Sequence, residues 1–259
     1  MTTLRIAGLQ TAGSAGDVDA NFAELDRAAA KAAAEGAQLL ITPETFLTGY
    51  DIGEEVAALA ELPLIERSRD LARNQGIGLL VGLPTLEAGK IGNSAVLIDE
   101  TGRLLSKHVK THLFGDLDRT RFVPGGEFVT IADFHGVRIA SLICYDVEFP
   151  ENVRAAALAG ADFVAVPTAN MEPFEFVAEK IIPVRAWENQ VYLAYVNRVG
   201  SERNTKYVGL SSVVGPDGVP LAMAGQGTEV FFADIDTDVV RAARQANPYL
   251  EDRRPQLYG

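Results

Sequence analysis

The chain of 259 residues contains a single cysteine, Cys144. One thiol cannot close an internal disulfide, so the sequence suits a reducing compartment, and a cytoplasmic location is expected. No apolar run reaches the roughly 18 residues of a membrane-spanning helix. The opening MTTLRIAGLQ lacks a charged stretch followed by a long apolar one, so neither a membrane contact nor a signal peptide is expected. Basic clusters are missing as well. The 23 Lys and Arg are outnumbered by 35 Asp and Glu, for a formal net charge of −12. Such a chain repels phosphate backbones, which argues against nucleic-acid binding. GxGxxG, GxxxxGKS/T and GxSxG are absent, so nucleotide-binding and serine-hydrolase readings lack support. No CxxC or HExxH is present, and His108 and His112 alone fall short of the three protein ligands zinc usually takes, so no metal is expected.

What is present is globular. The fractions of 47% hydrophobic and 22% charged residues are ordinary, which excludes disorder, and a chain of this length buries a full core without disulfide or metal staples. Short apolar runs alternate with helical patterns: strands are expected at 4–9, 38–42, 77–83, 93–99 and 103–110, with helices at 21–35 and 64–74. The order then begins again, with strands at 137–143, 163–166, 191–197, 210–214 and 219–224. Helices are expected at 151–159 and at 175–189, the latter interrupted at Pro183, and a last strand at 229–236. The hairpin sequences VLIDETGRLLSKH and SVVGPDGVPLAMA share a pattern. The chain therefore reads as an α/β fold of two pseudo-symmetric β-α-β-α-β-hairpin halves. Halves with one helical face each would bury their remaining sheet faces together, as a four-layer αββα sandwich; the alternative is one open doubly wound sheet. Residues 1–246 are expected to form a single domain, with 247–259 a polar tail that is either disordered or an arm on a partner subunit.

Three residues carry chemistry in suggestive positions. Cys144 ends an apolar strand just before the helix at Phe149-Pro150-Glu151, where α/β sheets open their ligand crevices and a helix N-terminus favours thiolate. Glu44 occupies the matching place in the first half, in the largely apolar PETFLTGY, a setting that raises a carboxyl pKa toward neutrality. Lys110 closes the first hairpin in KHVKTHLFG. Strand alternation there puts His108, Lys110 and His112 on one face, and His112 reads as a hydrogen-bonded structural imidazole.

Four segments together resemble the nitrilase superfamily of carbon–nitrogen hydrolases: PETFLTGY, KTHLFGDLDRTRFVPG, LICYDVEFPENVRAAALAGADFVAVPTAN and RAWENQVYLAYVNRVG. The resemblance spans essentially the whole chain. It implies an αββα sandwich, a homodimer or larger oligomer, no cofactor, and a Glu44–Lys110–Cys144 triad. A second family acid that orients the lysine corresponds to Asp118, one methylene shorter than the usual Glu, with Asp116 a competing candidate. Tyr145 would lend its backbone N–H to the oxyanion. The segment after Cys144 resembles small amidases, including stereoselective ones, so a small carboxamide is the expected substrate. Tyr50, Glu148, Asn170 and Phe174 are expected around it, with Glu148 suited by charge to a substrate amine. N-carbamoyl amide hydrolysis and nitrile hydrolysis are the alternatives. Further rivals are a cysteine–histidine hydrolase using His108, His112 or His135 and a catalytically silent scaffold.

Overall fold

The computed structural model describes residues 2–258. In the first half β1 (Thr3–Gln10) leads to α1 (Val18–Ala34) and β2 (Leu39–Ile41). Short α2 (Glu55–Leu59) and α3 (Leu64–Gln75) precede the long hairpin of β3 (Gly78–Glu87) and β4 (Lys90–Ile98), then β5 (Leu104–Val109) and α4 (Gly115–Arg119). The second half runs β6 (Thr130–Phe134), β7 (Val137–Ser141), α5 (Pro150–Leu158), β8 (Phe163–Pro167), α6 (Ile182–Asn189) and β9 (Tyr192–Val196). A two-residue ribbon, β10 (Ser201–Glu202) and β11 (Thr205–Lys206), precedes β12 (Ser212–Val214), β13 (Pro220–Met223), β14 (Glu229–Asp236) and α7 (Thr237–Ala246).

The two six-stranded sheets have orders β14-β1-β2-β3-β4-β5 and β13-β12-β9-β8-β7-β6. Each has a parallel centre, β1-β2-β3 or β7-β8-β9, extended by antiparallel strands at both edges. β6 is thus the counterpart of β14, completing the pseudo-symmetry. Alternation within the strands builds the layers. Leu39 and Ile41 face the other sheet, in a cluster with Ile139, Phe163 and Ala194, whereas Leu40 packs outward on Leu25 and Ala29 of α1. Val164 and Leu193 likewise meet α5 and α6. The expected αββα sandwich is what forms.

Several boundaries differ from expectation for local reasons. α1 starts a turn before Asn21, because the Asp17 side chain accepts from Ala20 N at 3.0 Å, an N-cap. Asn21 is then buried and bonds Ser14 O and Leu47 O. β6 is a strand beyond those expected, and Asp133 and Gly136 make its turn (Gly136 N to Asp133 Oδ1, 3.1 Å). α7 is a further helix beyond those expected, capped by Asp236 through Asp238 N. The break expected at Pro183 is a π-helical turn at Val177–Ile181, and Pro183 itself lies in the first turn of α6, where its missing N–H costs little. β14 returns to pair with β1, joining the last strand to the first. Among the described residues, no helix is long and apolar enough to cross a membrane.

A glycine sets the packing behind the first crevice. A Cβ on Gly82 would lie 2.2 Å from Pro43 O and 2.7 Å from Thr45 N, and backbone atoms cannot step aside. Gly82→Ala is expected to cost about 1–3 kcal/mol of stability and to lower activity by displacing the Glu44 loop. A thermal melt and an activity assay check this; an unchanged melt with full activity would show that the loop has room.

Candidate active site

Glu44, Lys110 and Cys144 leave three different strands at the same end of the sandwich. Glu44 follows β2, and its N–H donates to Thr168 O beyond β8 at 3.2 Å, tying the two crevice loops together across the sheets. Lys110 follows β5, held by Lys110 N to Asn93 O (2.8 Å) and Gly125 N to Lys110 O (2.9 Å). Cys144 opens a 3-10 turn, Cys144–Glu148, with φ of +44°, a strained left-handed value for a side chain other than glycine.

The side chains converge. Lys110 Nζ donates to Glu44 Oε1 at 2.7 Å and to Asp118 Oδ2 at 2.6 Å, and all three side chains are fully buried. Asn93 Nδ2 donates to Glu44 Oε1 at 2.7 Å. The other oxygen, Glu44 Oε2, is buried and accepts no hydrogen bond from the described residues. Asp118 is further held by Phe114 N at 2.8 Å and Tyr50 OH at 2.9 Å. Asp116 lies exposed on the outside of α4, so the acid beside the lysine is Asp118.

Burial sets the charges. It raises the Glu44 carboxyl above its ordinary value; Lys110 opposes this and Asp118 adds to it. Burial alone would lower Lys110, but Glu44 and Asp118 hold its ammonium well above the usual lysine value. Burial also pushes the Cys144 thiol well up, with the Glu44 charge adding and Lys110, Thr168 and Ala169 N–H opposing. A thiol held above its ordinary value is suited to attack with the help of a neighbouring base.

The turn after Cys144 is fixed by a residue to which the sequence reading assigned no role. Asp146 Oδ1 accepts from Thr111 N (3.1 Å), Thr111 Oγ1 (2.8 Å) and His112 N (2.8 Å), while Oδ2 accepts from Ile143 N (3.1 Å) and lies 3.1 Å from His108 Nε2. The nucleophile turn is thereby bonded to the loop that follows Lys110. His108 is buried on the Lys110 face as alternation requires, and His112 stacks on Phe149 with ring centroids 3.9 Å apart. His135 pairs instead with Glu100 at the surface. Asn93 was also missed; a buried asparagine opposite the end of β5 was its only signal.

The remaining expected residues divide into two groups. Tyr50 is buried with its hydroxyl given to Asp118, and Asn170 Nδ2 donates to Phe174 O at 3.0 Å. Phe174 is exposed and meets Phe114 edge-on at 5.7 Å; Phe114 meets Tyr145 at 5.4 Å. A cavity of about 470 Å³ opens beside them, lined by Thr111, His112, Leu113, Arg119, Tyr145 and Phe149 among others. Burial raises the half-buried Glu148, against Lys110 and Arg185. The N–H of Tyr145 belongs to the opening turn of a helix, where amides have no intrahelical partner. Among the described residues, no group of three or more His, Cys, Asp or Glu assembles that could hold a metal ion.

Known proteins resemble this chain over nearly its whole length. The family described as carbon-nitrogen hydrolase matches residues 5–245. A hydrolase of Pseudomonas protegens is 43% identical over 99% of this chain and 91% of its own. An (R)-stereoselective amidase of a Pseudomonas species is 36% identical over 99% of this chain and 93% of its own. The crystal structure of an amidase from Nesterenkonia sp. superposes with a TM-score of 0.90 at 38% identity, covering 99% of this chain and 95% of that one. Further structures of that amidase show a cysteine-to-alanine variant in complex with butyramide, and a glutamate-to-glutamine variant with the acetamide moiety of fluoroacetamide added covalently at the active-site cysteine.

Proposed function

Because the chain belongs to the carbon–nitrogen hydrolase family, we propose that it hydrolyses small primary carboxamides to the acid and ammonia through a thioester on Cys144. The observation that carries the reading is the buried Lys110 ammonium bonded to both Glu44 and Asp118, with Glu44 Oε2 left unbonded and its charge near enough to Cys144 to help raise the thiol. The amide-bound and covalently modified forms of the Nesterenkonia amidase support the choice of substrate.

In this mechanism Glu44 Oε2 takes the Cys144 proton as Sγ bonds to the carbonyl carbon. The oxyanion is met by the Lys110 ammonium and the Tyr145 N–H, donors of a kind worth about 2.7–4 kcal/mol each. The intermediate collapses, the C–N bond breaks, and protonated Glu44 gives its proton to the departing nitrogen. Glu44 then takes a proton from water as its oxygen adds to the thioester. The C–S bond breaks, the sulfur recovers the proton, and the acid leaves. One carboxyl thus moves protons in both halves of the reaction, which a raised pKa suits. Asp118 orients Lys110 and keeps its charge balanced. The aromatic rim of Phe114, Tyr145 and Phe174 suits an apolar acyl group, and Glu148 disfavours acyl groups that carry a carboxylate.

An ammonia-release screen over aliphatic amides, nitriles and ureido acids tests this. Primary amides are expected to react fastest, and anionic amides poorly. Release from ureido acids or nitriles alone would replace the amidase reading. The base must be ionised to act, so kcat/KM is expected to fall as pH drops through the raised Glu44 value, with its acid limb above the 4.5 of an ordinary glutamate. A limb at or below that value would count against Glu44.

The proposal extends to a single domain over residues 1–246, a cytoplasmic location in keeping with one free cysteine, and a homodimer. The outer faces of α5 and α6 expose Leu158, Val184 and Trp187, apolar side chains that a second copy would cover, with residues 247–259 as an arm across it. Sedimentation is expected to give twice the chain mass; a monomer at micromolar concentration would count against the dimer.

A further inference from the structure

Arg198 is the largest fully buried side chain among the described residues. It follows β9, in the second half, yet its guanidinium serves the first. Nε donates to Glu44 O at 3.2 Å, Nη2 to Thr45 O at 2.9 Å and Nη1 to Ala12 O at 3.0 Å. Thr45 itself has φ of +44°, so the loop's first turn is strained and requires a fixed partner. Nη1 also bonds Glu202 Oε1 at 3.0 Å. The other oxygen of Glu202 accepts from Tyr50 N (2.9 Å), Asp51 N (2.7 Å) and Tyr207 OH (2.5 Å).

The loop from Glu44 to Asp51 is therefore held at both ends by one buried ion pair. One end carries the Glu44 carboxylate. The other carries Tyr50, whose hydroxyl donates to Asp118 Oδ1, which in turn bonds Lys110. Buried pairs add little to stability when compared with a well-packed apolar replacement, so stability is a weak reason for this one. Its donors and acceptors are spent instead on backbone groups that determine where two proposed active-site carboxylates lie. We infer that Arg198 and Glu202 are positioning residues that set the separation between Glu44 and the Lys110–Asp118 pair. The inference rests on the acid–base role proposed for Glu44.

The test uses two variants that keep both charges. Arg198→Lys replaces a flat fork of five donors with one ammonium, which cannot reach the carbonyls of Ala12, Glu44 and Thr45 together. Glu202→Asp withdraws the acceptor by one methylene. Displacement of a reacting group by about 1 Å costs on the order of 100-fold, so kcat per titrated active site is expected to fall by about 30–300-fold, with KM within about threefold. The acid limb of kcat/KM is expected to move to lower pH, because a loosened loop lets water reach Glu44 and relieves the burial that raises it. A pair with only a structural role would lower the melting temperature and leave the limb in place. A folded variant with kcat within threefold of the parent and the same limb would overturn the inference. Failure of both variants to fold would also overturn it, by making the pair structural. The amidase reading is judged separately, on the parent, by ammonia release from any amide.

Discussion

Replacement of Cys144 by Ala is expected to lower amide turnover by at least about 10⁵-fold, the scale on which removal of a covalent nucleophile acts, with the fold intact. The sulfur forms the acyl bond, and the residues around it offer no substitute: Glu44 and Lys110 are bonded to each other, and Asp146 is fully engaged by the turn and the lysine loop. The side chain is nearly buried and small, so its loss leaves little cavity, and alanine meets the same left-handed backbone strain as cysteine. A thermal melt and an ammonia assay measure both parts. Turnover within tenfold of the parent, in a folded protein, would mean that water or another side chain attacks the amide directly.

Glu44→Gln is expected to cost about 10³–10⁴-fold in kcat, the upper range for one acid–base group, because the same carboxyl acts in both acylation and deacylation. The substitution keeps shape and one acceptor for Lys110 and Asn93. It also separates two roles. The Glu44 charge is one of the causes that push the Cys144 thiol up, so its removal makes the thiol more acidic. Alkylation of Cys144 by iodoacetamide, which needs neither a protonated leaving nitrogen nor an activated water, is therefore expected to slow far less than amide turnover at fixed pH. Alkylation slowed as much as turnover would mean that Glu44 acts only on the thiol or by holding the loop, and not on the leaving nitrogen and the attacking water.

The layers and the three site segments were legible because each is a local pattern: an apolar strand, then a polar residue where the strand ends. Glu44 and Cys144 share that signature at equivalent places in the two halves, whereas Lys110 was assigned to the site only through the family resemblance. The assignment between Asp116 and Asp118 required the turn of α4, since both lie in one short helix and only one faces inward. Asn93, Asp146 and Arg198 were not assigned roles because each acts across elements. Asn93 depends on the register of β4 on β5, Asp146 on the approach of two loops, and Arg198 on contacts with residues more than 150 positions away. The causes that raise the Cys144 thiol were not legible for a related reason. A helix N-terminus is visible in sequence, whereas the dryness around the sulfur and the proximity of Glu44 exist only once the sheets have packed.

The central claim is that these side chains form one acyl-transfer centre, and rapid quenching with intact-protein mass spectrometry tests it most directly. Glu44→Gln protein is mixed with an activated ester of a small carboxylic acid, whose leaving group needs no proton, and quenched over a series of times. A mass increase equal to the acyl group should accumulate, persist for want of a base to activate water, and map to the peptide containing Cys144. If the parent hydrolyses the same ester and neither the parent nor the variant carries an acyl group on Cys144 at any time, the thioester route is wrong.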